Sequence, residues 1–514
     1  MDKYLLRVPI FTRAFALCVL LIVFSFFPIT AHSQNGDRPI PMPDLSKVRG
    51  LIEQRMAAEN IPSVSVAVVR RGRVLWEEGF GLADRENRIP ASEHTMYYLA
   101  SVTKTITATS VMMLNEQKKL DLDRPVNNFL GPAKLTSPLW NASEATVRKV
   151  ANHTGGLTTY AWTCFGSAIE CPFSIDNTIR RYGIVFWRPG DHFDYSNIGY
   201  AVLGRAVEKV SGKSYADFLR NDLFLPLGMS HCSLGIDPEL EKQAAVRYSA
   251  EFGRRPPAVS GSPGASAVYC SAHDLARFAM FHLKSHLADQ KPLLTDSSID
   301  AMQNSTVPTD SGGQYGIGWW VKTNEFGYRT LLAQGGTTEA SASLQIVPSE
   351  GIGVIVLSNT GTTLPSEVIS EVLSAMLPLY AENRAKSTEV KKAPVVTTSD
   401  RASLFAGDWT GIVKTHRGEF PLTLSINASG EIQGRSGSQP AVLTNVQFDN
   451  ERIMARMPGN LGMDKDTGTQ PYDLDLELYL RSSRLTGSAT TRPRPGGRNF
   501  ARLPFWVELR KVTK

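Results

Sequence analysis

The stretch Leu99-Ala-Ser-Val-Thr-Lys-Thr-Ile-Thr-Ala108 decides how the rest of this chain is read. It opens a helix, and Ser101 and Lys104 stand at i and i+3, on one helical face. A lysine there can hold its amine against the serine hydroxyl, provided burial keeps the amine partly neutral. The helix N-terminus favours negative charge developing near the serine. On its own the pair says little, because ordinary residue frequencies give about one or two Ser-x-x-Lys matches in a chain of this length.

Working outward, two further segments add to it. Tyr195-Ser-Asn197 lies 94 residues on, inside Arg188-Pro-Gly-Asp-His-Phe-Asp-Tyr-Ser-Asn-Ile-Gly-Tyr200. Gln334-Gly-Gly-Thr337 precedes the strand candidates Ala342–Val347 and Gly353–Leu357. His153-Thr-Gly-Gly-Leu157, Ser211-Gly-Lys-Ser-Tyr215 and Pro226-Leu-Gly-Met229 lie between. In order and spacing these segments resemble the serine β-lactamase and penicillin-binding-protein superfamily, most of all its class C and esterase-like branch. The resemblance covers roughly residues 44–380.

The resemblance implies an α/β fold, an antiparallel sheet flanked by helices with a helical subdomain. It implies that Ser101 attacks a carbonyl and becomes acylated, and that Lys104 and Tyr195 share the general-base and general-acid work. Asn197 would orient Lys104 and the substrate. The backbone N–H groups of Ser101 and Thr337 would form the oxyanion hole, with Gly335 and Gly336 beside them. No metal and no cofactor is implied. Substrates would be small esters, D-amino-acid peptides or β-lactam-like amides.

One residue departs from the family pattern. The third segment there usually begins with Lys or His, and here it begins with Gln334. Glutamine can hydrogen-bond, but it cannot offer a cation to a substrate carboxylate. An ester or peptide therefore ranks above a β-lactam, with weak or no β-lactamase activity expected. The rival reading is a non-catalytic sensor of peptidoglycan fragments or antibiotics on the same fold. The complete Ser101, Lys104, Tyr195 and Asn197 set argues against it.

The remaining sequence supplies context. Lys3, Arg7 and Arg13 precede an apolar run from Ala14 to Phe27, and Ala31 and Ser33 provide small residues for cleavage, so residues 1–33 read as a signal peptide. The run is short of the ~20 residues that span a bilayer, so no membrane span is expected after cleavage. Export to a periplasmic or extracellular space follows, and it permits disulfides among Cys164, Cys171, Cys232 and Cys270, with Cys164 and Cys171 the nearest pair. The whole chain carries a net charge of +6. Losing Asp2, Lys3, Arg7 and Arg13 with the leader leaves about +4, too small and dispersed for nucleic-acid binding.

Helical spacing at Leu45–Ala58, strands at Ser63–Val69 and Val74–Phe80, and a helix near Pro365–Leu379 bracket a helical middle. The opening and closing strands should return to one sheet. The domains read as a hydrolase over 34–382, a linker over 383–400 and a small all-β barrel or sandwich over 401–514. The last is marked by alternation such as Tyr472-Asp-Leu-Asp-Leu-Glu-Leu-Tyr-Leu480, and it reads as an appendage without chemistry of its own. His282 and His286 have metal spacing, but Leu283 stands where a metalloprotease needs Glu, so no metal is assigned to them.

Overall fold

Ser63-Val-Ser-Val-Ala-Val-Val-Arg70 (β1) is buried along all but its last residue, as expected of a strand covered on both faces. A computed structural model shows why; it describes residues 43–165, 174–236, 239–251, 253–387, 401–437, 440–449, 451–459, 461–462, 472–494 and 500–512. The expected signal segment, Cys171 and residues 388–400 of the expected linker lie outside them.

The hydrolase part contains α1 (Ser46–Glu59), β1, β2 (Arg73–Asp84), α2 (Thr103–Glu116), β3 (Ala161–Phe165), α3 (Asn197–Ser211) and α4 (Ala272–His282). It continues through β4 (Trp320–Glu325), β5 (Tyr328–Thr337), β6 (Ala340–Val347), β7 (Ile352–Ser358) and α5 (Leu364–Met376). The main sheet runs β4-β5-β6-β7-β1-β2, antiparallel throughout, with two-residue strands added at its edges. Val64 of β1 faces Ser358 of β7, and Arg70 faces Ile352. The first and last strands therefore meet in one sheet, as their sequence patterns imply.

Residue alternation on β1 sorts its side chains. Val64, Val66 and Val68 pack with Val48 and Ile52 of α1 and Val368 and Ile369 of α5. Ala67 and Val69 join the opposite layer, which holds Ile106 of α2 and Leu275 and Phe278 of α4. Each fully buried aliphatic side chain contributes about 1.5–3 kcal/mol. Helix α2 is buried from Thr103 to Leu114 despite its many hydroxyls. Thr107, Thr109 and Ser110 donate to the carbonyls of Thr103, Thr105 and Ile106, and Thr105 donates to the Gly318 carbonyl. Such a polar helix tolerates burial because these groups are paired. A disulfide joins Cys232 and Cys270, which face each other across two short strands.

The C-terminal part is all β: β8 (Gly407–Thr415), β9 (Gly418–Ile426), β10 (Ile432–Ser436), β11 (Pro440–Val442), β12 (Thr444–Asp449), β13 (Arg452–Pro458), β14 (Tyr472–Arg481), β15 (Arg484–Pro493), β16 (Phe500–Arg502) and β17 (Pro504–Lys511). Nine of these form one antiparallel sheet in the order β11-β10-β9-β8-β17-β15-β14-β13-β12. Its edge strands, β11 and β12, are separated in sequence by Leu443 alone, so the sheet must curl until its edges approach, giving a nearly closed barrel. Leu474, Leu476 and Leu478 of β14 are buried, while Asp473, Asp475 and Glu477 alternate with them on the outer face.

The barrel's outer face does not all meet solvent. β15 is buried from Leu485 to Thr491, including Thr486, Ser488 and Thr490. The tenth strand, β16, leaves the barrel and pairs antiparallel with β3, Ala501 facing Trp162. Phe186 and Trp187 pack against Trp506 beside Tyr479, with the Phe186 and Trp506 rings 6.1 Å apart. The barrel is thus docked onto the hydrolase part by a shared strand pairing and an aromatic cluster.

Candidate active site

Ser101 sits in the single 3-10 turn Ala100–Val102 that leads into α2, and Lys104 lies in the first turn of that helix. Lys104 Nζ donates to Ser101 Oγ at 2.9 Å and to the Ala265 carbonyl at 3.1 Å. Its side chain is about 1% exposed, and no ion pair joins it among the described residues. Burial alone holds its amine well below the ordinary lysine range. Residue Ala100 has a φ of 44°, in the left-handed region that non-glycine residues avoid, so the turn presenting the serine is held in a strained conformation.

Tyr195 precedes α3. Ser196 caps that helix, accepting from Gly199 N at 3.1 Å and donating to the Thr158 carbonyl at 3.0 Å. The cap fixes where Tyr195 and Asn197 project. The Lys104 ammonium lies 4.8 Å from the centroid of the Tyr195 ring, and the Tyr195 hydroxyl bonds to Ser101. Burial, partly offset by that bond, pushes the phenol up to about 12, so Tyr195 is protonated at neutral pH. Asn197 Nδ2 donates to the Tyr160 carbonyl at 2.7 Å, fixing it at the wall of the site.

The third segment forms the end of β5. A Cβ on Gly335 would lie 2.1 Å from the Leu99 carbonyl and 2.6 Å from Ser101 N, so only glycine lets this strand press against the serine turn. Gly336 and Thr337 follow, Thr337 facing Ala340 where β5 turns into β6. Gln334 is exposed, and its Nε2 donates to Ser366 Oγ at 2.9 Å. The structure thus brings Ser101, Lys104, Tyr195 and Gly335 into contact and ties Asn197 and Gln334 to neighbouring groups at the margin.

Residues outside the expected catalytic set support Tyr195; among them His153, which in sequence reads as loop or core packing, is packed and buried. His153 packs on Tyr195, ring centroids 4.4 Å apart, and its Nδ1 accepts from Ser196 N at 3.0 Å. An accepting Nδ1 requires a neutral ring, and burial, with Lys104 nearby, holds the imidazole well below its ordinary range. Trp320 stacks on Tyr195, ring centroids 5.9 Å apart. The His153-Thr-Gly-Gly-Leu157 pattern marked the region, but only the fold shows that the imidazole supports Tyr195. His282 and His286 are not brought together: the first bonds to Thr109 and the second pairs with Asp296.

Asp194, next to Tyr195, accepts from Trp187 Nε1 at 2.9 Å. Burial, with the charge of Glu477 nearby, pushes its carboxyl from 3.8 up to about 7. Between those values the folded chain keeps a proton that the unfolded chain releases, so stability falls as pH rises through this window. Asp194→Asn keeps the acceptor without the charge. The variant should be more stable than the parent above pH ~7, by at most about 4 kcal/mol, and nearly equal to it below pH ~4. Urea titrations at the two pH extremes check this, and an equal difference at both would refute it.

Comparison with known proteins places this geometry. A protein-family profile described as Beta-lactamase matches residues 48–373. The chain is 25% identical over 355 residues to "Protein flp" of Staphylococcus aureus (strain MRSA252), covering 66% of each chain. It is 28% identical over 268 residues to "Putative penicillin-binding protein PbpX" of Bacillus subtilis (strain 168), covering 51% of this chain and 63% of that one. It therefore spans about two thirds of the length of these relatives. Among solved structures, the octameric penicillin-binding protein homologue from Pyrococcus abyssi superposes with a TM-score of 0.56 at 22% identity, covering 90% of this chain and 100% of that one. SurE gives 0.57 at 22% identity, covering 89% and 98%. A class C beta-lactamase in complex with cefoxitin gives 0.53 at 22% identity, covering 64% and 97%. The last covers a share comparable to the hydrolase part alone, whereas the first two extend over the larger part of the chain. With the profile spanning well over half of its length, the chain belongs to the β-lactamase family.

Proposed function

We propose that this protein is an exported hydrolase that cleaves an ester or amide through an acyl-Ser101 intermediate. The observation that carries this reading is the 2.9 Å contact between Ser101 Oγ and a buried Lys104 amine that has no acidic partner among the described residues. A neutral amine so placed takes the hydroxyl proton as Ser101 attacks the carbonyl. The Tyr195 phenol, protonated at neutral pH, donates to the leaving group and regains the proton that Lys104 took from Ser101. Water then releases the acyl group from Ser101. The N–H group of Ser101, against which Gly335 presses, and that of Thr337, two residues further along β5, meet the developing oxyanion. The Cys232–Cys270 disulfide supports export, since such bonds persist in oxidising compartments. No helix among the described residues is long and apolar enough to cross a membrane.

Carboxylic esters or D-amino-acid peptides rank first as substrates because Gln334 is neutral and already bonded to Ser366. A charge-assisted bond to a substrate carboxylate is worth about 1.5–3 kcal/mol, and about 1.4 kcal/mol is tenfold in rate. Profiling against short acyl esters, D-alanyl peptides and a chromogenic cephalosporin should show turnover of an ester or peptide and poor turnover of the cephalosporin. Gln334→Lys should raise kcat/KM for the cephalosporin about ten- to a hundredfold and leave a neutral ester within a few-fold. Equal change on both substrates would remove Gln334 as a specificity determinant. Acylation at one equivalent with no turnover of any substrate would replace the hydrolase reading by the sensor reading.

A further inference from the structure

A cavity of about 450 Å³ lies where the barrel docks on the hydrolase part, with Thr158 and Thr159 on one wall and β13, β14 and β15 on the other. Its charges do not balance. Asp475 Oδ1 accepts from Arg456 Nε at 2.7 Å, and Oδ2 accepts from Arg492 Nε at 2.7 Å and Arg502 Nη2 at 3.3 Å. Three guanidinium groups thus share one carboxylate. The other acid of the wall, Glu477, pairs with Arg452 at 3.1 Å. Arg502 Nε is buried without a hydrogen-bond partner, an unmet donor at the cavity. Burial, together with Arg492 and Arg456, pushes the Arg502 guanidinium below its ordinary range, the direction a further anion would reverse.

The cavity adjoins the active site. Thr158 and Thr159 line the cavity, the Thr158 carbonyl accepts from Ser196 and the Tyr160 carbonyl accepts from Asn197, so residues 158–160 link the cavity to the residues flanking Tyr195. At Gln334, where the family pattern usually supplies a cation, this chain has none. Among the described residues, the excess positive charge stands instead at the cavity, beside Thr158 and Thr159.

We propose that this cavity binds a carboxylate of the substrate cleaved at Ser101, recognised by Arg456, Arg492 and Arg502. The proposal rests on the reading of Ser101 as a hydrolytic nucleophile. Guanidinium suits the task, since its planar fork matches a carboxylate in two-point contact. Reach would set the acyl-chain length, with the acid at one end of the substrate and the scissile carbonyl at the other.

The test uses the full chain and p-nitrophenyl monoesters of dicarboxylic acids of increasing length, each paired with its methyl-capped neutral counterpart. The parent protein should prefer the free acid by at least about tenfold in kcat/KM at one or more lengths, mainly through KM. Arg492→Met/Arg502→Met should bring that preference close to unity while neutral esters stay within about threefold. Should the double variant not fold, Arg502→Gln alone should reduce the preference at least threefold. No preference at any length, or a preference untouched by these variants, overturns the proposal while neutral esters are still hydrolysed. Failure of the Ser101 reading looks different: neutral esters are then not hydrolysed by either protein. In that case calorimetry of the Ser101→Ala protein decides. Binding of the free-acid monoester, lost on adding Arg502→Gln, supports the cavity as the carboxylate site. Binding of inorganic phosphate but not of the monoester assigns the cavity to a free anion and overturns it.

Discussion

Ser101→Ala should abolish covalent labelling by a fluorophosphonate probe and lower ester hydrolysis by at least about 10³-fold. The expectation follows from the geometry of the turn. Ala100 is held in a left-handed conformation and Gly335 is pressed against Ser101 N, so the serine hydroxyl is presented by a backbone that cannot readily rearrange. Alanine removes the nucleophile without altering that backbone, and what remains is the binding and oxyanion contribution alone. Peptide mass spectrometry of the labelled parent should locate the adduct on Ser101. An adduct on a different serine, or an unlabelled parent with undiminished hydrolysis in the variant, would sink the assignment.

Lys104→Ala and Tyr195→Phe should each slow acylation by at least about 10²-fold, the usual scale for lost acid–base help. Their effects should fall far short of additive, because both groups act on the Ser101 proton. The buried amine also gives a sign for pH. Burial holds it well below the ordinary lysine range, so activity should fall on the acid side, as Lys104 takes up a proton, at a pH below that range. Lys104→Arg keeps a cation of similar length that cannot give up its charge, and it should be as damaged as Lys104→Ala. Single-turnover rates measured from pH 5 to 9 decide the matter. A Lys104→Arg variant close to parental rates would show that charge, not proton uptake, is what position 104 supplies.

What could be read from the sequence follows the range of the signals. The i, i+3 spacing of Ser101 and Lys104 is local, and local geometry dictates that the two meet. The two-residue alternation of β1 and the apolar run of β7 announce buried strands, and their meeting in one sheet follows from the helical middle between them. Gln334 could be named but not aimed: its bond to Ser366 depends on how α5 crosses the sheet. The role of Ala265 is invisible in sequence, because any residue has a carbonyl and only the fold turns this one to Lys104. Asp194 is one acid within residues 188–200, and only the fold gives it the bond from Trp187 and the nearby charge of Glu477, nearly 300 residues away. The Lys-, Thr- and Ser-rich run after Glu382 marks a change of composition, but it is silent on what the barrel docks onto.

The pairing of β16 with β3 has a consequence for how the molecule is made. Phe500–Arg502 must find Ala161–Phe165, more than 300 residues earlier and close to the segment that anchors Asn197. Pairings so distant in sequence form late, because the intervening chain loses much conformational freedom before they are rewarded. A chain emerging N-terminus first can assemble the Ser101 turn and α2 early, yet the wall behind Asn197 waits for residues 500–502. A chain released before residue 500 would carry the nucleophile turn without the strand that completes the wall around it.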